Sequence, residues 1–155
     1  MIKVLFVCRL NYCRSPLAAA MFDALVVKAG LSESIWVESA GTHANPGSSA
    51  DPNSVALAVK HNIPMHAHCS RQVTLSDFSG FDYIFAMDDS NVATLKSMSP
   101  LQYHSKIQLL LKSNPKEKQR EVPDPYLQGP QGFEAVYQLM QPACEGLLKQ
   151  LQGEK

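Results

Sequence analysis

The chain has 155 residues, which is long enough to bury a hydrophobic core and predicts one domain spanning residues 1–155. Its 45% hydrophobic and 18% charged residues are typical of a globular protein that folds in water. The 14 Lys and Arg residues balance the 14 Asp and Glu residues, so charge gives no reason to expect a nucleic-acid or membrane partner.

The cellular compartment is predicted from the apolar runs of the chain, its N-terminal residues and its cysteines. No apolar run approaches the length of a membrane span, and the short apolar stretch after Lys3 lacks the features of a signal peptide. We therefore expect a cytoplasmic protein, and a monomer. In that compartment the four cysteines are expected to be thiols.

The first third of the chain predicts a strand, a helix and a second strand. Residues 2–7 form a nearly continuous apolar run, as in a strand buried on both faces of a parallel sheet. Ser15 is expected to cap the following helix, Pro16 to lie in its first turn, and Gly30 to end it. Residues 34–39 are expected to form the second strand.

The remaining elements follow from capping signals and periodicity. Asp51 before Pro52 predicts a helix start, and Thr74 with Asp77 predicts a short capping box. In chain order the predicted elements are a helix at 52–62, a strand at 82–87, a helix from Asp88–Asp89, a strand at 107–111, a loop at 114–126 and an amphipathic helix at 133–151.

Strands that alternate with helices predict an α/β fold. We expect three layers in a single domain, with a four-stranded, mostly parallel sheet and helices on both faces. Ligands of such sheets bind beyond the carboxyl ends of the strands, and Cys8 follows the first strand directly. This predicts a phosphate-binding loop after strand 1.

Cys8 and Arg14 are separated by five residues across this strand-to-helix turn. Backbone N–H groups of such a turn converge on an anion, and an arginine can grip two phosphate oxygens at once. The same field favours the thiolate of Cys8, which is then a nucleophile beneath a bound phosphoryl group. Ser15 is expected to donate a hydrogen bond to that sulfur.

The segment VCRLNYCRSP resembles the phosphate-binding loop of the low-molecular-weight protein tyrosine phosphatases, whose pattern is V-C-x-G-N-x-C-R-S-P. ESAGT, FDYIFAMDDSN, PDPY and GFEAVYQLM resemble further motifs of that family, in the family's order. The resemblance implies hydrolysis of phosphotyrosine in proteins through a phosphocysteine intermediate. It implies phosphate or vanadate as ligands and a phosphotyrosine protein or peptide as substrate. No cofactor is expected, and because the histidines are scattered and the cysteines lack zinc-finger spacing, no metal site is predicted.

The resemblance also implies roles for single residues. Asp124 of the Pro-Asp-Pro segment matches the family's general acid and base, and Tyr126 matches a wall of the substrate cleft. Asn11 matches the residue that holds the unusual backbone of the loop, and Ser39 and His68 match its hydrogen-bonding partners. The loop residues expected to lie against the phosphate or substrate are Arg9, Leu10, Asn11, Tyr12, Cys13 and Ser15. In the family, the cysteine matching Cys13 can form a reversible disulfide with the nucleophile.

Several positions depart from the family pattern. Leu10 replaces a glycine, so either the loop has a conformation that leucine accepts or the leucine is strained at positive φ. Arg9 and Tyr12 replace aliphatic residues, residues 43–50 lack an aromatic found in many relatives, and Leu127 replaces a second tyrosine. Relatives specific for phosphoarginine have a small threonine at the position of Tyr12, so a bulky tyrosine favours an aryl ester.

Two other functions compete with phosphatase activity. An arsenate reductase on the same fold would need two further cysteines close together, whereas Cys69 and Cys144 are far apart in sequence. A non-enzymatic anion-binding module would result if Leu10 had spoiled the loop. The presence together of Cys8, Arg14, Ser15 and Asp124 argues against that interpretation.

Overall fold

The computed structural model describes residues 1–65, 67–126 and 128–153, so Leu127 lies outside the described residues. The elements in chain order are β1 (Ile2–Cys8), α1 (Arg14–Lys28), β2 (Ile35–Gly41), α2 (Pro52–Lys60), α3 (Leu75–Gly80), β3 (Tyr83–Ala86), α4 (Asp89–Met98), β4 (Ile107–Leu109) and α5 (Gly129–Leu151). Short 3₁₀ helices at Leu101–Lys106 and Leu110–Ser113 flank β4.

The four strands form one sheet in the order β2–β1–β3–β4. Every strand pair within the described residues is parallel, with Val4 of β1 opposite Val37 of β2 and Tyr83 of β3. The prediction of a four-stranded, mostly parallel sheet is confirmed. Because β1 is an inner strand, its backbone groups are paired on both sides, and its carboxyl end lies in the middle of the sheet edge.

Alternate side chains of β1 are buried on opposite faces of the sheet. Val4 and Phe6 belong to a core that includes α1, α2 and α5, whereas Leu5 and Val7 pack with α3 and α4. This explains why residues 2–7 are almost continuously apolar. Burial of a large side chain such as Phe6 contributes about 1.5–3 kcal/mol, and the predicted three layers are confirmed.

The predicted caps of α2 and α3 are confirmed, whereas the predicted ends of some elements are not. The Asp51 carboxylate accepts a hydrogen bond from the Asn53 N–H at 2.8 Å and caps α2. The predicted strand at 107–111 ends already at Leu109, because the next two leucines begin a 3₁₀ helix. No described helix combines the length and apolar character needed to cross a bilayer.

The strand order creates a crevice at the carboxyl ends of β1 and β3. The chain continues from β1 through α1 to β2 on one side, whereas β3 and β4 lie on the other side. Crossover helices leave opposite faces of the sheet at such a point, and the gap between them is where α/β folds bind ligands. Cys8 ends β1 at this crevice, and Asp88 follows β3 there.

Candidate active site

The β1–α1 loop, residues 8–14, is organised around Asn11. Asn11 is fully buried and has φ of 56°, a left-handed conformation that asparagine tolerates better than most residues. Its side-chain Nδ2 donates to Ser15 Oγ at 2.8 Å and to Ser39 Oγ at 3.0 Å. The asparagine therefore fixes the loop in a conformation that its backbone alone would rarely adopt.

Ser15 connects Asn11 to the Cys8 thiol. Its Oγ accepts the Asn11 hydrogen bond and lies 3.0 Å from Cys8 Sγ, so its one hydrogen can be donated to the sulfur, with the Ala40 carbonyl at 3.4 Å as the more distant acceptor. The prediction that Ser15 caps α1 is wrong. The helix begins at Arg14, no side chain caps its start, and Ser15 is already the second helical residue. Its hydroxyl is turned toward Cys8 and the loop.

The loop presents donors that nothing in the described part of the chain uses. None of the described hydrogen bonds is donated by the backbone N–H groups of residues 9–13. Buried or partly buried N–H groups are nearly always paired, so a run of free donors at the end of a strand is typical of an anion site.

Arg14 is 3% exposed at the start of α1 and points its guanidinium into the crevice. Nη1 donates to Asp88 Oδ2 and to the Val122 carbonyl, each at 2.8 Å. Nη2 lies 3.8 Å from Asp124 Oδ2, and neither Nη2 nor Nε donates a hydrogen bond within the described residues. The Nε–Nη2 edge can therefore grip two oxygens of an anion, while Asp88 holds the opposite edge.

Asp124 lies across the same cavity on the loop before α5. Its Oδ1 accepts the Tyr126 N–H at 3.1 Å, which leaves Oδ2 directed toward Arg14. The cavity that results is lined by Cys8, Leu10, Tyr12, Cys13, Arg14, Asp124 and Tyr126. A thiol, a guanidinium and a carboxylate thus meet at one opening.

The two cysteines of the loop have different surroundings. Cys13 donates its S–H to Asp51 Oδ2 at 3.6 Å. Burial, followed by the charge of Asp51, strongly raises the pKa of the Cys13 thiol. Cys13 is therefore a protonated thiol at neutral pH. Cys8, with a hydroxyl donor at its sulfur, is the better candidate nucleophile.

The rim of the cavity includes two of the positions that depart from the family pattern, Leu10 and Tyr12. The Tyr12 and Tyr126 rings pack edge to face, with centroids 5.9 Å apart. Leu10 is 39% exposed, and the only non-glycine residues with positive φ in the described ranges are Asn11 and Asn62. Leucine at position 10 is thus unstrained, and the loop keeps a conformation that it accepts.

A second layer of contacts holds the loop from outside. His68 Nε2 donates to the Asn11 carbonyl at 2.9 Å, so His68 and Ser39 both contact Asn11 as the resemblance implied. Ser70 and Arg71 were not predicted. The Ser70 hydroxyl donates to the same carbonyl at 2.7 Å, and the Arg71 backbone N–H donates to Asn11 Oδ1 at 3.0 Å.

Arg71 is itself fixed by two carboxylates. Its guanidinium forms ion pairs with Glu38 of β2 and Asp77 of α3, at 3.1 and 3.0 Å. These interactions hold the Arg71 backbone beside Asn11. The contact of Asp88 with Arg14 was also not predicted from the sequence, although its position two residues after a buried strand was a usable signal.

Gly41 allows the end of β2 to approach the loop. A Cβ at this position would lie 2.8 Å from the Arg9 carbonyl oxygen and 2.9 Å from the Asn11 nitrogen. Both are backbone atoms that cannot rotate away.

We expect Gly41→Ala to displace the loop, to lower kcat/KM at least tenfold and to destabilise the fold by about 1–3 kcal/mol through overpacking. Thermal unfolding and steady-state kinetics measure both effects. Gly80→Ala is the matched control, because an added Cβ there meets nothing within 4 Å. Equal behaviour of the two variants would contradict the close-approach explanation.

The remaining two cysteines lie in separate parts of the fold. Cys69 is exposed on the segment before α3, whereas Cys144 is buried in α5. Burial raises the pKa of Cys144 to about 12, so it is an unreactive thiol. Among residues 1–65, 67–126 and 128–153, no group of three or more side chains could hold a metal ion.

Comparisons with known proteins agree with the geometry. The family model "Low molecular weight phosphotyrosine protein phosphatase" matches residues 3–155. The chain is 40% identical over 156 residues to the low molecular weight protein-tyrosine-phosphatase YfkJ of Bacillus subtilis, covering 100% of this chain and 99% of YfkJ. It is 41% identical over 150 residues to the human low molecular weight phosphotyrosine protein phosphatase, covering 95% and 94%.

Two solved structures superpose closely on the whole chain. The crystal structure of YfkJ superposes with a TM-score of 0.94 at 40% identity and covers 100% of this chain and 97% of that one. A protein tyrosine phosphatase from Entamoeba histolytica, solved with Hepes in its active site, has a TM-score of 0.93 at 38% identity and covers 100% of both chains.

Proposed function

The chain belongs to the low molecular weight phosphotyrosine protein phosphatase family, and from this premise we propose that it hydrolyses phosphotyrosine in proteins through a phosphocysteine at Cys8. One observation carries the assignment of residues. The Cys8 thiol, the free edge of Arg14 and the Asp124 carboxylate line a single cavity at the carboxyl end of β1. Cys8 can act as the nucleophile, Arg14 can bind the phosphoryl oxygens and Asp124 can act as the general acid.

In the first step the Cys8 thiolate attacks phosphorus, and the bond from phosphorus to the tyrosyl oxygen breaks. The three non-bridging oxygens accept hydrogen bonds from the loop N–H groups and from the free edge of Arg14, which stabilise the charge of the transition state. Protonated Asp124 gives its proton to the departing phenolate. Dephosphorylated tyrosine leaves.

In the second step the Asp124 carboxylate takes a proton from water, whose oxygen attacks the phosphocysteine. The sulfur–phosphorus bond breaks and inorganic phosphate is released. The Ser15 hydroxyl, 3.0 Å from Cys8 Sγ, stabilises the thiolate as it leaves. The same hydrogen bond stabilises the thiolate before the first step.

The aromatic pair at the rim supports an aryl ester as substrate. Tyr12 and Tyr126 are both in the cavity lining, and the Tyr126 side chain is half exposed. Aromatic walls favour a phosphotyrosine ring and leave a short seryl or threonyl phosphate poorly held. We propose a phosphotyrosine protein or peptide as partner, and phosphate or vanadate as ligands.

Three further properties complete the proposal. Residues 1–155 form one catalytic domain, which the family match over 3–155 supports. A nucleophilic thiol works in a reducing compartment, so we propose a cytoplasmic location. A monomer is expected.

The arsenate-reductase alternative is not favoured, because Cys144 is buried in α5, away from the exposed Cys69.

Hydrolysis of a chromogenic aryl phosphate tests the proposal. The protein is expected to release p-nitrophenol from p-nitrophenyl phosphate, with competitive inhibition by vanadate. A phosphotyrosine peptide should be hydrolysed at least about 10²-fold faster than the matched phosphoserine peptide, since binding and leaving-group chemistry both favour the phenol. Absence of aryl phosphate hydrolysis, or equal rates on the two peptides, would contradict the proposed function.

A further inference from the structure

The carbonyl oxygen of Asn11 accepts two side-chain hydrogen bonds. His68 Nε2 donates to it at 2.9 Å and Ser70 Oγ at 2.7 Å. Ser70 is 3% exposed, so this hydroxyl is shielded from water and Asn11 is its described partner. Both lone pairs of one loop carbonyl are therefore occupied by side chains from the segment before α3.

The direction of the Asn11 carbonyl determines the direction of the Tyr12 N–H on the other side of the loop. The C=O of Asn11 and the N–H of Tyr12 belong to the same peptide unit, and in a trans peptide they point in opposite directions. No cis peptide bond occurs in the described residues. Anchoring the carbonyl toward His68 and Ser70 therefore turns the Tyr12 N–H away from them, and no described group accepts a hydrogen bond from it.

We propose that Ser70 is a positioning residue for the phosphatase reaction, which fixes and polarises the Asn11–Tyr12 peptide so that the Tyr12 N–H donates to the bound phosphoryl group. This inference rests on the proposed function of the loop. Two donors on the carbonyl increase the polarity of the peptide, and hydrogen-bond chains in a buried setting strengthen one another. The hydrogen bond from such a polarised N–H is stronger to a phosphoryl dianion than to water.

The Ser70 hydroxyl is not needed to hold its own segment in place. The Ser70 backbone N–H donates to the Ser48 carbonyl at 2.8 Å, and the Ser70 carbonyl accepts the Gly47 N–H at 2.9 Å. Arg71, the next residue, is anchored by Glu38 and Asp77. Removal of the hydroxyl should therefore leave the segment where it is and release only its hold on the Asn11 carbonyl.

The test compares Ser70→Ala with the wild-type protein in two measurements. Binding of inorganic phosphate is measured by titration calorimetry, and kcat/KM is measured on p-nitrophenyl phosphate. We expect Ser70→Ala to raise the phosphate Kd and to lower kcat/KM by the same factor, about three- to tenfold, the worth of one buried hydrogen bond. Ser70→Thr keeps the donor and should restore both values to within twofold.

A double variant tests whether Ser70 and His68 share one task. Either donor alone still anchors the carbonyl, so His68→Ala with Ser70→Ala should lower kcat/KM by more than the product of the single losses. Ser99→Ala is the matched control, because its hydroxyl donates to the Leu95 carbonyl at 2.9 Å, far from the loop in the fold. That variant should keep the wild-type phosphate Kd.

Two outcomes would overturn the inference. One is a phosphate Kd and kcat/KM for Ser70→Ala within twofold of wild type. The other is a double variant no worse than His68→Ala alone. If the wild-type protein binds phosphate but does not hydrolyse aryl phosphates, the proposed function fails and the phosphate Kd alone decides the role of Ser70. Thermal unfolding of each variant identifies a loss that comes from the fold.

Discussion

Replacing Cys8 with serine is expected to abolish turnover of aryl phosphates while phosphate still binds. A serine hydroxyl is a far weaker nucleophile than a thiolate, and none of the loop residues can activate it as a base would. In the proposed mechanism the anion is held mainly by the free N–H groups of residues 9–13 and by the Nε–Nη2 edge of Arg14, which the substitution does not change. We expect kcat to fall by about 10⁴ or more.

Steady-state kinetics on p-nitrophenyl phosphate and calorimetric titration with phosphate measure the two effects separately. Cys69→Ser is the matched control, because Cys69 is an exposed thiol outside the cavity. It should keep the wild-type rate. If Cys8→Ser retained more than a trace of activity, another group would have to be the nucleophile. If it lost phosphate binding as well, the sulfur would be part of the anion site.

Local sequence signals were sufficient to predict the part of the site that is contiguous in the chain. A buried apolar strand ends at Cys8, and the helix begins six residues later at Arg14, so the turn between them has to lie at the carboxyl edge of the sheet. The role of Asn11 came from the family resemblance, and asparagine is a residue type that tolerates the left-handed backbone found there. These inferences depend on neighbours within a few residues.

The contacts that hold the loop from outside could not be predicted in the same way. Arg14 and Asp88 are 74 positions apart, and Ser70 and Asn11 are 59 positions apart. His68 was expected beside Asn11 only because of the family resemblance, and nothing in residues 69–71 indicates that their donors contact the loop, because that depends on how the segment before α3 crosses the end of β2. Gly41 likewise became meaningful only once its 2.8 Å approach to the loop was known.

The structure corrects one prediction made from local sequence, the role of Ser15, and answers one open question, the backbone conformation of Leu10. Ser15 has the chemistry of a helix cap, but the helix begins one residue earlier and the hydroxyl binds Cys8 and Asn11 instead. At Leu10 the sequence left open whether leucine is strained. The backbone there is not left-handed, and the side chain lies at the cavity rim, so the residue is placed to affect which substrates fit.

Asp124→Asn is expected to slow the hydrolysis of poor leaving groups far more than that of good ones. The amide keeps an oxygen that can accept the Tyr126 N–H, now at 3.1 Å, so the loop conformation should survive. It cannot deliver a proton to the departing oxygen. For phenyl phosphate or a phosphotyrosine peptide we expect the single-turnover rate of the first step to fall by about 10²–10⁴, the usual contribution of a general acid.

For p-nitrophenyl phosphate the loss should be much smaller, because its phenolate departs without protonation. The comparison is made in single turnovers, which report the first step before water attacks the phosphocysteine. Asp82→Asn, remote from the cavity in sequence and fold, is the control for loss of one negative charge. An equal loss on both esters would mean that Asp124 acts through its charge on Arg14, 3.8 Å away, and does not protonate the leaving group.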